Sequence, residues 1–267
     1  MMPQITARTR VFALLGDPVA HSSSPTIQNA AMRDRELDGV YVALRSTAIE
    51  LVGFVRGLAM SGGGGNITLP HKEKAATVVD VRSSAVKRTG ACNTFWLQDG
   101  QVHGDNTDVE GFSRALDSFL GGPPQGQKVL VLGAGGAARA CLVALMDGGV
   151  ETVHLLNRTG DRARIVARRI GGERVRVLEA AGEVDGEDYD LVVNTTPLGL
   201  NADDALPLDL RRLGRAGALM DMVYTRGSTA FVQEARELGI RASDGLEMLV
   251  QQGAVSFERW WGQRPSL

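Results

Sequence analysis

Apolar positions along the chain fall into short continuous runs separated by segments with helical spacing, and this alternation predicts an order of elements. "VFALLG" (11–16) and "VYVALR" (40–45) read as buried strands. Between them, "SPTIQNAAMRDREL" (24–37) reads as a helix with Ser24 as N-cap and Pro25 at its first helical position. "AIELVGFVRGLAM" (48–60) spaces its apolar residues as a second helix does. "GGNITL" (64–69) alternates as a third strand, stopped by Pro70, and "KEKAATVV" (72–79) and "SSAVKRTG" (83–90) read as short helices. "ACNTFWLQDGQVHGDNTD" (91–108) reads as a hairpin turning at Asp99-Gly100. Strand-helix-strand order in this half predicts a mostly parallel open sheet.

"GGPPQGQ" (121–127) has the composition of a boundary. After it, "KVLVLGAGGAARACLVALMDGG" (128–149) runs strand, glycine turn, helix, and "TVHLLNR" (152–158) and "DRARIVARRIG" (161–171) give the next strand and helix. "DLVVNTTPLG" (190–199) and "GALMDMVY" (217–224) are further strands, and "DGLEMLVQQGAVSFERWWG" (244–262) is a long final helix. The second half therefore reads as a parallel sheet of Rossmann type.

The glycine turn carries the first chemistry. An apolar strand runs into Gly133-x-Gly135-x-x-Ala138, where a helix begins. Gly133 permits the tight turn, Gly135 lets backbone approach a pyrophosphate, and Ala138 allows close packing of helix on strand. Free N–H groups at the helix start then hold phosphates. The tip of the next strand selects the dinucleotide. A site for NAD usually has an acid there, on the ribose 2′-OH. This chain instead has Asn157, Arg158, Thr159 and, one turn on, Arg162. Arg158 can stack on adenine and pair with a 2′-phosphate, Thr159 can donate to it, and Arg162 adds charge, so NADP(H) is expected.

In the first half, Ser22, Ser23 and Ser24 precede a helix start, where hydroxyls and N–H groups suit a small carboxylate and equally serve ordinary capping. Asp108, in "DNTD", stands just before a helix, as an N-cap or a catalytic acid does. "PHK" (70–72) alone is a surface loop. The order of the pieces changes these weights. "LLGDPVAHSSSP", "GNITLPHKE", "GACNTF", "GDNTD", "LGAGGAA", "NRT", "VVNTTPLG" and "MLVQQGA" together resemble, across nearly the whole chain, the shikimate dehydrogenase family.

That resemblance implies two open-sheet α/β domains flanking a cleft. Residues 1–108 plus 244–267 form a substrate-binding and catalytic domain to which the C-terminal helix returns, and 109–243 an NADP-binding domain. It implies NADP-dependent, reversible reduction of 3-dehydroshikimate to shikimate, on the way to chorismate and the aromatic amino acids. By motif match, Lys72 and Asp108 resemble the family's catalytic pair, and Ser22 and Ser24 its carboxylate-binding serines. Asn66, Thr68, Asn93 and Asp108 resemble its ring-hydroxyl contacts, and Tyr224 and Gln252 further substrate contacts. The cofactor set extends to Ala134, Gly136, Ala137, Thr195, Met222 and Gly245. The roles make physical sense. Negative charge develops on the ketone oxygen as hydride arrives, and a Lys ammonium there stabilises it and can supply the proton.

Three details depart from the frequent pattern. Ser23 stands where many members carry Lys, and His71 reads as a packing residue beside Lys72. The "SGGGG" run (61–65) reads as a flexible entry to the third strand. Two rival readings remain: a quinate/shikimate or aminoshikimate-type dehydrogenase, and a non-catalytic NADP-binding sensor. Ser24, where quinate-using members often have Thr, and "NRT" favour shikimate with NADP over the first; the presence of both Lys72 and Asp108 opposes the second.

Composition narrows the class further. A net charge of -2 over 267 residues gives no footprint for nucleic acid or an anionic membrane. No apolar run approaches the roughly 20 residues of a membrane span, and "MMPQITARTR" (1–10) lacks the apolar core of a signal peptide. Cys92 and Cys141 stand in no metal-like spacing and read as small buried thiols, so a cytoplasmic protein without metal is expected, as a monomer or homodimer.

Overall fold

The computed structural model describes residues 5–20, 22–201, 203–225 and 227–266. The chain forms two compact units: Met1–Gly111 with Val250–Leu267, and Phe112–Leu249.

The first unit opens with β1 (Arg10–Gly16), α1 (Ser24–Asp34), β2 (Gly39–Arg45), α2 (Leu51–Met60) and β3 (Gly64–Ile67). The three strands pair in parallel with β1 in the middle. β1 is apolar on both faces because both are covered: Ala13 and Leu15 pack on the side of α2, Phe12 and Leu14 on the other. Next come α3 (Lys72–Val78), β4 (Val81–Arg82), α4 (Ser84–Thr89), β5 (Thr94–Gln98) and β6 (Gln101–Asp105). Asp99 and Gly100 both take positive φ, 51° and 73°, as a two-residue hairpin turn requires. The sheet order is β2-β1-β3-β5-β6-β4.

The sheet is mostly parallel, as expected: β5 alone is reversed, by its hairpin, and is antiparallel to both β3 and β6. Four sequence expectations need correction. Asp108 stands inside the helix Thr107–Leu120, not just before it. β3 ends at Ile67, so Thr68 and Leu69 lie in a turn closed by His71 N–H donating to the Thr68 carbonyl. The N-cap position of α1 is Ser23, and Ser24 is already helical. The glycine run is no loose entry. Gly63, Gly64 and Gly65 are buried, and a β-carbon on them would strike the backbone carbonyls of Val11, Phe95 and Ala13. Bare backbone is what lets three strands meet there.

α5 (Thr107–Leu120) and, at the end of the chain, α9 (Leu246–Trp261) each span a limit of the two units. From Val250 onward α9 belongs to the first. Its Phe257 and Trp260 join Phe12 and Tyr41 in one core cluster, with the Phe12 and Trp260 rings 4.9 Å apart. Gln28 Nε2 donates to the Gly253 carbonyl at 2.9 Å and Arg259 Nε to Asp105 at 2.9 Å.

The second unit holds β7 (Lys128–Leu132), α6 (Gly136–Asp147), β8 (Thr152–Leu156), α7 (Gly160–Ile170), β9 (Val175–Leu178), β10 (Asp188–Asn194), β11 (Arg215–Asp221), α8 (Ala230–Glu237) and β12 (Arg241–Ser243). Every recorded strand pair is parallel, in the order β12-β11-β10-β7-β8-β9. Counted from β7 this is 6-5-4-1-2-3, the doubly wound dinucleotide-binding order, with its reversal between β7 and β10. β4, β9, β12 and α8 have no counterpart in the sequence reading; the three strands have 2, 4 and 3 residues, too few for a period to register.

Candidate active site

In the first unit, strand direction gathers the chemistry at one sheet edge. β1 and β3 are parallel, so both carboxyl ends lie at that edge. β5 runs the other way, which brings its amino end there, and β6 reverses again. Ser22 and Ser24 follow β1, Thr68 and Lys72 follow β3, Asn93 precedes β5, and Asp108 follows β6. Residues 86 positions apart in sequence thus share an edge through topology alone.

At this edge Lys72 Nζ donates to Asp108 Oδ2 at 2.6 Å, with the Lys72 side chain 21% and the Asp108 side chain 8% exposed. Asn93 Nδ2 donates to the other carboxylate oxygen at 2.8 Å. The Asn93 amide has one orientation, because its Oδ1 accepts from the Thr107 backbone N–H at 2.8 Å. The carboxylate therefore faces a donor on each side, and the ammonium keeps an exposed flank. His71 is buried, with Nε2 2.7 Å from the Ser46 carbonyl oxygen, and acts as packing.

The other matched residues differ in how much capacity they keep. The hydroxyls of Ser24 and Thr68 have no hydrogen-bond partner among the described residues. Ser22 Oγ accepts from the Ser24 N–H at 3.2 Å. Asn66 is buried, its Oδ1 accepting from the Tyr41 hydroxyl and its Nδ2 facing Asn93, Thr94 and Ser256. Burial pushes the Tyr41 hydroxyl up from its ordinary pKa and the Cys92 thiol up to about 12, leaving both neutral. Gln252 sits on α9 with its backbone against Gly111, where a β-carbon would not fit.

In the second unit the glycine turn follows β7 at the point of strand-order reversal. Gly133 has φ +102°, and a β-carbon there would come within 2.7 Å of Thr195 Oγ1, itself held on the Leu132 carbonyl. Gly135 and Gly136 face open space at the start of α6. Asn157 Oδ1 accepts from the Ala134 N–H at 3.1 Å and its Nδ2 donates to the Thr159 carbonyl, so one side chain fixes the turn to the tip of β8. A cavity of about 540 Å³ opens here, lined by Gly133, Gly135, Asn157, Arg158, Thr159 and Arg162, among others. Glu179 is the one acid in its lining, and Arg164 binds it while also binding Asp161. Arg158 and Arg162 have no carboxylate partner among the described residues, so the pocket keeps a positive field. Bare turn, open helix end and two free guanidinium groups fit a dinucleotide carrying a 2′-phosphate.

Gly136, Ala137, Thr195, Met222 and Gly245 lie outside this cavity's lining. Met222 follows β11, and Gly245 packs on its carbonyl. Tyr224 is half-buried two residues further on. Sequence reasoning missed Asp221, which is buried and binds Asn194 Nδ2, the Val223 N–H and the Thr229 hydroxyl. Burial raises its carboxyl above the ordinary range, and the three donors pull against that shift. It ties the ends of β10 and β11, from which "TTPLG" and "MVY" depart. Among the described residues no group of three or more His, Cys, Asp or Glu side chains could hold a metal ion, and no helix is long and apolar enough to cross a membrane.

Known proteins share this plan. The family description "Shikimate dehydrogenase substrate binding domain" matches residues 14–95, "Shikimate / quinate 5-dehydrogenase" 119–196, and "Shikimate 5'-dehydrogenase C-terminal domain" 245–267. The shikimate dehydrogenase (NADP(+)) of Chelativorans sp. (strain BNC1) is 40% identical over 95% of this chain and 91% of its own. The chain belongs to the shikimate dehydrogenase family.

Solved members of the family align with nearly all of the chain. Shikimate dehydrogenase from Aquifex aeolicus aligns with TM-score 0.90 and 33% identity, covering 98% of this chain and 96% of that one. The Thermus thermophilus enzyme, solved with NADP(H) and shikimate, aligns with TM-score 0.86 and 36% identity over 96% and 95%. The resemblance read from eight motifs and the α/β, two-sheet fold class both stand. The tightest fit in the family's glycine turn is at Gly133. Gly133→Ala is expected to cost about 1–3 kcal/mol of stability through its left-handed φ and to weaken dinucleotide binding. Thermal unfolding with and without NADPH measures both; an unchanged midpoint and an unchanged NADPH-induced rise would contradict this assignment.

Proposed function

We propose that this chain catalyses the reversible NADPH-dependent reduction of 3-dehydroshikimate to shikimate, as a cytoplasmic enzyme of the chorismate route. The observation that carries the reading is the Lys72–Asp108 pair, 2.6 Å long and set at the sheet edge beside unengaged hydroxyls. Family membership, curated relatives named for NADP(+), and the cationic rim of Arg158 and Arg162, whose one acid, Glu179, is held by Arg164, support the cofactor. The first unit then carries substrate and the second carries NADP.

Ser22 and Ser24, at the amino end of α1, receive the substrate carboxylate, where helix N–H groups and hydroxyls favour an anion. Thr68 has a free hydroxyl for the ring. Asn66 Nδ2 has two hydrogens and three acceptors, so a ring hydroxyl can replace one of them at little cost. Asn93 Nδ2 uses one hydrogen on Asp108 and keeps a second. Tyr224 and Gln252 complete the substrate set. On the cofactor, Arg158, Thr159 and Arg162 take the 2′-phosphate. The Gly133–Ala137 turn takes the pyrophosphate, and Asn157, Thr195, Met222 and Gly245 shape the remaining surface.

Bound there, the nicotinamide supplies the hydride. Lys72 stabilises the charge that develops on the ketone oxygen and delivers the proton. Asp108 fixes the ammonium in place and accepts from a ring hydroxyl. Asn93 fixes Asp108.

Initial rates with shikimate and quinate, each with NADP and NAD, test the reading: shikimate with NADP should be fastest. A faster reaction of quinate with NAD would transfer the assignment to the sister activity, and NADPH binding without consumption on 3-dehydroshikimate would remove it. Lys72→Ala should lower kcat by about 10²- to 10⁴-fold, the usual worth of a positioned proton donor, with KM little changed. A near-normal kcat would end its catalytic role. Arg158→Ala should weaken NADPH about 10- to 100-fold, the scale of one charge-assisted contact, and NADH hardly at all; equal losses would refute the phosphate contact.

A further inference from the structure

Behind the Lys72–Asp108 pair the Asn66 and Asn93 amides join a buried cluster of hydroxyls that the catalytic reading leaves unused. Its far end is Ser256, in the part of α9 that belongs to the first unit. Ser256 is fully buried, as is Thr94, and Thr107 is 1% exposed. Ser256 Oγ donates to the Gln252 carbonyl, one turn back, at 3.0 Å. With its hydrogen used there, the oxygen can only accept from its other neighbours. Those are Asn66 Nδ2 at 2.9 Å, Thr94 Oγ1 at 2.9 Å and Thr107 Oγ1 at 3.0 Å. The Thr94 and Thr107 hydroxyls also reach Asn93 Oδ1, at 3.0 and 3.1 Å; each has one hydrogen, so Ser256 and Asn93 compete for it, and when one threonine donates to Ser256 the other is left for Asn93. Asn93 in turn holds Asp108 at 2.8 Å, and Asp108 holds Lys72 at 2.6 Å.

We infer that Ser256 is a positioning residue for the reaction: from α9 it acts through Thr107, Thr94 and Asn93 to fix the Asp108 carboxylate and, with it, the Lys72 ammonium. This inference rests on the proposed function for its kinetic consequence, while its geometric content stands on the hydrogen bonds alone. A serine inside a helix competes with the backbone for its own hydrogen bonds and gains nothing for the helix by itself. Here it supplies an acceptor that no apolar residue provides. Three buried donor groups lie within reach of it, of which its two lone pairs take two at a time, and in a buried cluster an unmet donor is costly, so removing the oxygen redirects a threonine hydroxyl and makes the Asn66 amide rearrange. The Asn93 side chain hydrogen-bonds both this cluster and the Asp108 carboxylate, so rearrangement reaches the ion pair through it.

Ser256→Ala should lower kcat by about tenfold, within the coupling range of side chains in one network, with the KM for NADPH unchanged. In an Asn93→Ala background, Ser256→Ala should lower kcat no further, because the connection is already cut. A purely structural role for Ser256 predicts the same factor in both backgrounds, and that result would overturn the inference, as would an unchanged kcat. A second readout needs no substrate: the nitrogen resonance of the Lys72 ammonium in ¹⁵N-lysine protein. It should move in Ser256→Ala and stay at the Asn93→Ala position in the double variant. If the wild-type protein turns over no 3-dehydroshikimate, the proposed function fails while this resonance still decides the reach of Ser256. Thr107→Val cuts the same route from the other side and should displace the Lys72 signal likewise; a stationary signal in both folded single variants would refute the relay.

Discussion

The Asn93 side-chain amide is the constraint on which the catalytic edge depends. Its oxygen is committed to the Thr107 N–H and its nitrogen to Asp108, so the amide cannot rotate without breaking a bond at each end. Because the residue is buried, neither bond has water as a substitute. The amide therefore converts a backbone feature, the start of α5, into the orientation of a carboxylate. Lys72 is then placed by charge and by α3 together. A lysine on an exposed helix end samples many rotamers; this one has a fixed counter-charge at 2.6 Å.

Mixed strand direction is what makes that arrangement reachable. In an all-parallel sheet, Asn93 at the amino end of β5 would stand at the edge opposite Asp108. The hairpin of β5 and β6 inverts one strand, so one residue before β5 and one after β6 become neighbours. The second unit solves its own problem without inversion. Its reversal of strand order leaves β7 and β10 adjacent, and Gly133 and Thr195 at their ends come within contact. In both units a glycine is required where chain meets chain: Gly65 beside the Ala13 carbonyl, Gly133 beside Thr195.

Much of this was legible in the sequence, for identifiable reasons. The long apolar strands and the glycine turn carry strong local signals, and "DG" named its hairpin turn. Lys72, Asp108 and Asn93 were legible only through the order of motifs, since each alone is an ordinary loop or cap residue. What stayed hidden was decided by distant partners. The pairing of β5 with β3, the two-residue β4 and the role of Asp221 depend on residues far along the chain, and no window contains both sides. The glycine run shows the limit most clearly. Four consecutive glycines read as freedom, yet three of them are buried positions where any side chain would collide.

The same limit explains why Ser256 carried no signal. Within α9 it occupies one position on the buried face, between Val255 and Phe257, and by composition it is a small residue filling space. Its meaning comes from what β3, β5 and α5 place opposite it. Donor groups from three elements surround one oxygen, which accepts from two at a time, and each element is anchored independently: β3 by strand pairing, β5 by its hairpin, α5 by the Asn93 amide. An apolar residue at that point would leave the cluster one acceptor short in a region closed to water. The helix that seals the first core is thereby bound to the catalytic edge by polar as well as apolar contacts, through Ser256 and, one turn on, the Arg259–Asp105 pair. Packing by Phe257 and Trp260 sets how far α9 stands from the sheet; the hydroxyl favours one register, because only there does it lie within reach of Asn66, Thr94 and Thr107 together.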